Sequence, residues 1–244
     1  MKTNLGFLDE ALLSTSLSSK RSSYDVPLEE RFPTELIDTL RQDNLELVQN
    51  LPTNYITGNS RGYISIAMEH DKFGYLCPDF YEIINDCKLI HATALCCAHK
   101  CLKWLLETTF SKEDIDRSTR EGLTALHISA AANDFISIQI LLEAGADPSI
   151  TDSRQRYATH YAAMSNTHCL YALRSHSQRY FSAPDEEGCT PLQLAQRYHK
   201  KSECQFLRNS TILVDQTISS QNKNWWFAQN FSNYVCVCVI PRNS

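Results

Sequence analysis

The chain has 244 residues, of which 43% are hydrophobic and 21% charged, a composition typical of a soluble protein with one domain or one continuous solenoid. Its net charge of −5, with no basic stripe, argues against nucleic acid as the main partner, because phosphate binding needs a basic face. No stretch is long and apolar enough to span a membrane.

The first 30 residues are rich in serine and leucine, and we predict a disordered arm over residues 1–30. The first 21 residues lack a continuous apolar core and contain Asp9 and Glu10, so they are unlike a secretory signal peptide. The ten cysteines form no compact, evenly spaced framework. These features predict a reducing, cytoplasmic environment in which the thiols stay free.

Two atypical units of paired helices are predicted between residues 31 and 87. Pro33 suits the start of a helix, and Asn44 begins a second short helix. After a turn we expect further helices at 63–70 and 79–85. A first unit without the full pattern is expected in a stack of repeats, because its outer face meets water rather than a neighbour.

From residue 88 the pattern becomes periodic. One position recurs every 33 residues, at Thr124, Tyr157 and Thr190. His127 and His160 are separated by the same interval, and His91 lies 36 residues before His127. The sequence therefore predicts at least three successive copies of one helix–turn–helix unit.

The unit that begins at Thr124 has the strongest local signals. We expect the Thr124 hydroxyl to cap the free backbone N–H groups of the first turn. Ile138, Leu141 and Leu142 have the spacing of a buried stripe on the second helix, and Gly145 follows as the residue that ends it.

Short motifs mark the three copies: Thr-Ala-Leu-His at 124–127, Tyr-Ala-Thr-His at 157–160 and Thr-Pro-Leu-Gln at 190–193. With a period of about 33 residues, they resemble the T-P-L-H core of the ankyrin repeat family. The resemblance implies an all-α solenoid of stacked helix pairs with projecting β-turn fingers, degenerate over 31–87 and clearer over 88–208. It also implies a non-catalytic module that binds another protein through its fingers and concave face.

The copy around His160 departs from the family pattern at two positions of its finger. Gln155 stands where the family has its turn glycine, and Tyr157 stands where it has threonine.

The family pattern, carried onto this chain, places candidate partner-binding residues on three fingers and on the inner helices. Stacking uses the apolar faces, so these positions are the ones left free to vary. They are Ser118, Arg120, Glu121, Leu123, Thr151, Ser153, Arg154, Arg156, Met164, Ser165, Glu186, Glu187, Arg197 and Tyr198. Arginines beside glutamates on adjacent fingers favour a mixed-charge protein epitope, although solvated turns have the same composition.

His127 and His160 occupy the position at which the family's histidine bonds to neighbouring backbone and ties repeats together, so we interpret both as structural. The densest group of possible metal ligands is His91, Cys96, Cys97, His99 and Cys101. Zinc usually takes ligands in two matched pairs, and no second pair is evident unless Cys236 and Cys238 supply it. We therefore predict buried thiols without metal or cofactor. A zinc-stabilised regulatory protein is the alternative.

No catalytic motif is present: the chain has no phosphate-cradling glycine loop and no G-x-S-x-G elbow, and only seven glycines. We predict that it is not an enzyme. Residues 209–244 are predicted to be a low-order hydrophobic tail, with a docking patch or a cover for the open end of the stack as alternatives. A third alternative is a recently acquired or mispredicted extension without function, since a GT dinucleotide repeat encodes alternating valine and cysteine, as at 235–239. A diverged family copy without a retained partner is a further alternative for the whole chain.

Overall fold

The fold is a row of paired helices with one two-stranded ribbon near its start. The structure, a computed structural model, describes residues 33–51, 62–66, 75–108 and 112–212. In chain order the elements are α1 (Thr34–Arg41), α2 (Leu45–Gln49), β1 (Gly62–Ser65), β2 (Ile83–Cys87), α3 (Leu89–Leu95), α4 (His99–Thr108), α5 (Lys112–Ile115), α6 (Ala125–Ala131), α7 (Phe135–Glu143), α8 (Ala158–Ser165), α9 (Thr167–Ser177), a 3₁₀ helix (Gln178–Ser182), α10 (Pro191–Arg197) and α11 (Lys201–Ile212).

The pairs are α1/α2, α3/α4, α6/α7, α8/α9 and α10/α11, and the first helix of each pair is called inner and the second outer. Neighbouring pairs stack inner helix on inner helix and outer helix on outer helix. Every residue of α6 and α8 is buried, because each lies between two inner neighbours and its own outer helix. On α7 the stripe of Ile138, Leu141 and Leu142 is buried, which confirms the predicted apolar seam.

Each inner helix from α3 to α10 follows a residue in the left-handed backbone region, which lies five positions before the histidine or glutamine of that helix. These residues are Asp86, Gly122, Gln155 and Gly188, with φ between 57° and 81°. Gln155 therefore adopts the conformation for which the family pattern has glycine, at the cost of local backbone strain.

The helix cap at Thr124 is a capping box closed with His127. The Thr124 hydroxyl also lies 2.9 Å from Nδ1 of His127. The same ring nitrogen accepts a hydrogen bond from the Thr124 backbone N–H at 3.1 Å. In the last unit the predicted form occurs, since Thr190 Oγ1 accepts from the backbone N–H of Gln193 at 3.4 Å.

The helices predicted at 63–70 and 79–85 are wrong for the described part of those stretches. Residues 62–65 form β1, which pairs antiparallel with β2 with Ile64 opposite Ile84, and residues 79–82 are irregular. A short apolar run is equally compatible with helix and strand, and pairing with a partner strand decides between them.

The spacing of the helix starts shows that this ribbon belongs to an insertion. The residues that precede α1 and α3, Pro33 and Lys88, are 55 positions apart, whereas later units repeat every 33 or 36 positions. β2 lies at the end of the insertion, directly before α3, where later units have a finger.

The last helix, α11, continues to Ile212, so the boundary predicted at residue 208 falls inside it. The arm predicted over 1–30 and the tail beyond residue 212 lie outside the described residues. Within the described ranges, no helix has the length and apolarity needed to cross a membrane.

Candidate partner-binding surface

The fingers, residues 118–123, 151–156 and 184–189, are joined to one another by backbone hydrogen bonds. Arg120 N donates to the carbonyl of Asn85 in β2 at 3.0 Å. Ser153 N of the middle finger donates to the carbonyl of Glu121 in the first at 2.8 Å. The ladder continues to the last finger, where Glu186 N donates to the carbonyl of residue 154 at 2.9 Å. Because each bond joins one repeat to the next, the ladder fixes the spacing of the fingers.

An aspartate side chain closes two of these turns from within. Asp152 Oδ1 accepts from the backbone N–H groups of residues 154 and 156 at 2.9 and 2.8 Å. Asp185 Oδ1 accepts from those of Glu187 and Cys189 at 3.0 and 2.8 Å. Sequence reasoning missed both residues, although their separation of 33 positions and their place three residues before the left-handed position were visible signals.

The inner-helix histidines join each unit to the next, as predicted for His127. His127 Nε2 lies 3.1 Å from Arg156 O, and His91 makes the corresponding contact with Arg117 O at 2.8 Å. Burial lowers the pKa of His91 to about 4, so the ring is neutral and donates from Nε2. His160 differs, because its buried Nε2 makes no hydrogen bond of ordinary geometry. Burial lowers the pKa of this ring, and the backbone of Cys189 and Ala183 lies close enough to oppose that shift.

Residues 75–81, called the strap below, lie along the inner helices. At one end, Tyr75 Oη donates to the carbonyl of Met164 at 3.0 Å, at the end of α8. Between the two ends, Cys77 N donates to the carbonyl of Ala131 at 2.8 Å, at the end of α6. The strap therefore covers Met164 and Ser165, two of the inner-helix residues that the sequence pattern assigned to the concave binding face.

The other end of the strap reaches the middle finger. The Phe80 ring meets the ring of Tyr161 edge to face, with centroids 5.7 Å apart. Tyr81 Oη lies 2.9 Å from Ser153 Oγ. The guanidinium of Arg154 lies over the Tyr81 ring, 4.3 Å from its centroid.

Arg156 is the centre of a buried ion-pair cluster. Its side chain is 1% exposed, and it pairs through Nε with Asp185 at 3.0 Å and through Nη1 with Asp79 of the strap at 2.7 Å. Burial opposes the charge of the guanidinium, but the hydrogen bonds to the two carboxylates outweigh it and raise the Arg156 pKa. Arg154 Nη1 also reaches Asp79, at 3.3 Å.

The structure divides the predicted site residues by their exposure. Four are buried and do not belong to an exposed surface: Leu123, Arg156, Met164 and Ser165. Leu123 lies in the core, Arg156 is enclosed by its carboxylates, and the strap covers the last two. Four are partly buried: Glu121, Thr151, Arg154 and Tyr198. Six are exposed: Ser118, Arg120, Ser153, Glu186, Glu187 and Arg197.

The Cys/His group at 91–101 is divided among separate contacts. His99 Nε2 lies 2.9 Å from both carboxylate oxygens of Asp134, and that hydrogen bond raises its pKa. Burial raises the pKa of Cys97 and Cys101 to about 12, so both thiols are protonated at neutral pH. Among the described residues, no three His, Cys, Asp or Glu side chains are grouped to hold a metal ion.

Comparison with known proteins points to one family of repeats. A family model described as ankyrin repeats, in three copies, matches residues 41–152 and 130–218. Ankyrin repeat and SOCS box protein 3 of Homo sapiens is 42% identical over 62 residues, 25% of this chain and 12% of that protein. Inversin of Canis lupus familiaris is 32% identical over 119 residues, 49% of this chain and 11% of that protein. Rabankyrin-5 of Mus musculus is 27% identical over 112 residues, 45% of this chain and 10% of that protein. The matched part is thus 10% to 12% of these relatives' lengths.

Proposed function

This chain belongs to the ankyrin repeat family, and on that premise we propose that it is a non-catalytic module that binds another protein through its fingertips. Ankyrin repeats generally mediate protein–protein interaction, and the family is typically non-catalytic. The name of one relative, ankyrin repeat and SOCS box protein 3, includes the same repeat.

The observation that supports this function is the ladder of fingers. Its backbone hydrogen bonds hold three polar tips at fixed spacing, so little conformational entropy is lost when a partner binds. Arg120, Glu186 and Glu187 project from these tips and are exposed. Charges of both signs on one rigid edge favour a partner epitope of mixed charge.

We extend the proposal to the limits and location of the module. We propose that residues 31–208, together with the last turn of α11, form the interaction module, and that it acts in the cytoplasm. The eight cysteines within the described ranges are all free, which accords with a reducing compartment.

The test is reversal of the fingertip charges in the full chain, by Arg120→Glu with Glu186→Lys and Glu187→Lys. A partner captured by proximity labelling with the wild-type chain should be recovered at least about tenfold less well with this variant. The matched control reverses the exposed pair Lys103 and Glu107 on the outer helix α4, and recovery there should equal that of the wild type.

Equal recovery with both variants would show that the fingertips are not the binding surface. If no partner is enriched by the wild-type chain, the alternative of a diverged copy without a retained partner is favoured instead.

A further inference from the structure

We propose that the strap is a built-in ligand of a groove on the concave face, and that an extended partner peptide with an aspartate followed by aromatic residues competes for the same place. The groove is formed by α6, α8, residues 151–156 and Lys200. This inference rests on the proposed function, since it names the class of partner that a second surface of the same module takes.

The strap is an addition to the repeat array rather than a part of it. It lies within the insertion that separates the starts of α1 and α3 by 55 positions instead of 33 or 36. The inner helices beneath it already contact one another directly from α3 to α10. The strap thus lies on a stack that is already complete, in the position that a separate ligand would occupy.

The strap is held mainly by its side chains. Its backbone bond from Cys77 to Ala131 is accompanied by the side-chain contacts of Tyr75, Phe80 and Tyr81 described above. Recognition by side chains is specific to sequence, unlike the addition of a strand to a sheet edge, where backbone bonds supply most of the affinity.

The aspartate of the strap meets a positive site that the groove itself supplies. Arg156 is buried and Arg154 is 36% exposed, and both reach the Asp79 carboxylate. Without Asp79, Arg156 would keep its ion pair with Asp185, and Arg154 would lose the one ion pair described for it, so the open groove would attract a carboxylate. Asp79 also has a φ of 63°, a conformation that aspartate tolerates better than most residues.

The far end of the groove selects an aromatic hydroxyl. Lys200 Nζ lies 3.0 Å from Tyr75 Oη and 3.2 Å from the carbonyl of Ser165, and it also lies over the tyrosine ring at 5.2 Å from its centroid. A peptide that replaces the strap therefore needs an aromatic residue four positions before its aspartate.

The experiment uses a labelled synthetic peptide of residues 75–83, titrated under reducing conditions into the full chain. The receptor is the wild type or a variant with Asp79→Asn and Phe80→Ala, which removes two anchors of the strap. Because the intact strap competes at the high effective concentration of a tethered ligand, the variant should bind the peptide at least about tenfold more tightly than the wild type. A control peptide with the same two replacements should bind the variant at least about tenfold more weakly than the native peptide.

A second measurement needs no substitution in the chain. Saturation of the wild type with the native peptide should speed hydrogen exchange of the Cys77 amide, because displacement of the strap breaks its bond to Ala131. The inference is overturned if a folded variant binds no more tightly than the wild type, if both peptides bind equally, or if this exchange rate is unchanged at millimolar peptide. Formation of a dimer without peptide binding would also overturn it, by assigning the groove to a second copy of the chain. The peptide experiments leave the fingertip charges unchanged, so their failure would overturn the inference about the groove without testing the fingertips. Failure of the charge-reversal experiment would likewise overturn the fingertip proposal without testing the groove.

Discussion

Replacement of Arg156 by methionine should destabilise the fold strongly, because it leaves a carboxylate buried without its partner. The Asp185 side chain is 1% exposed, and its Oδ2 lies 3.0 Å from Arg156 Nε. Asp79, the other partner, is 36% exposed and regains hydration when the arginine is removed. The cost therefore falls mainly on Asp185.

The magnitude follows from what the variant leaves unpaired. Removal of one member of a buried ion pair costs about 3–5 kcal/mol, and we expect about 3 kcal/mol because only one of the two carboxylates stays buried. Methionine keeps much of the arginine's apolar stem, so the loss of packing is small.

The assay is a double-mutant cycle with Asp185→Asn, read from urea denaturation at pH 7. Asparagine keeps an oxygen for the backbone N–H groups of Glu187 and Cys189, so the turn of the finger survives. The double variant with Arg156→Met should be less destabilised than the sum of the single variants, with a coupling energy of at least about 1.5 kcal/mol. Additivity within about 0.5 kcal/mol would refute the conclusion that the pair stabilises the fold as a unit.

Two further predictions concern backbone geometry and pH. Gly122→Ala and Gly188→Ala both place an alanine at positive φ. At Gly122 the new Cβ would lie 2.9 Å from the Asp152 backbone of the next finger, whereas at Gly188 it would meet open space. Urea denaturation should therefore show a larger loss for Gly122→Ala, by about 1–3 kcal/mol, and equal losses would contradict the close approach of the fingers. Burial lowers the pKa of His91 to about 4, below its value of 6.5 in the unfolded chain. The neutral ring therefore contributes fully to the free energy of unfolding above pH 6.5, and this contribution is lost as the pH falls toward 4. Between pH 7 and 5 the free energy of unfolding should fall by about 2 kcal/mol through this residue, and His91→Gln, the residue used as Gln193 in the last unit, should flatten that slope. An unchanged slope would show that the ring is not buried as a neutral group.

The repeat array could be predicted from sequence because its determinants are local and recur. The spacing of Thr124, Tyr157 and Thr190 fixed the unit length, and the stripe on α7 fixed which face is buried. A periodic pattern also identifies the residues that join one unit to the next, as the contact of His127 with Arg156 confirms.

The two strands were not predictable in the same way. The run that contains Ile64 is short, and its conformation depends on pairing with Ile84 twenty positions later. Local propensity carries little information about such a pairing, because a strand is stabilised by its partner across the ribbon rather than by its own neighbours in sequence.

The sequence by itself therefore determined the unit, its period and the helix face through which units stack. Only the tertiary structure decided where the insertion lies, and so which residues of the concave face are exposed. Met164 and Arg156 occupy positions that the repeat pattern assigns to a surface. Yet the strap covers the first with a residue 89 positions earlier and supplies the second with a carboxylate from 77 positions earlier. The physical reason is that a repeat specifies contacts between adjacent units, whereas the docking of a non-periodic segment depends on side chains that converge only after the units have stacked.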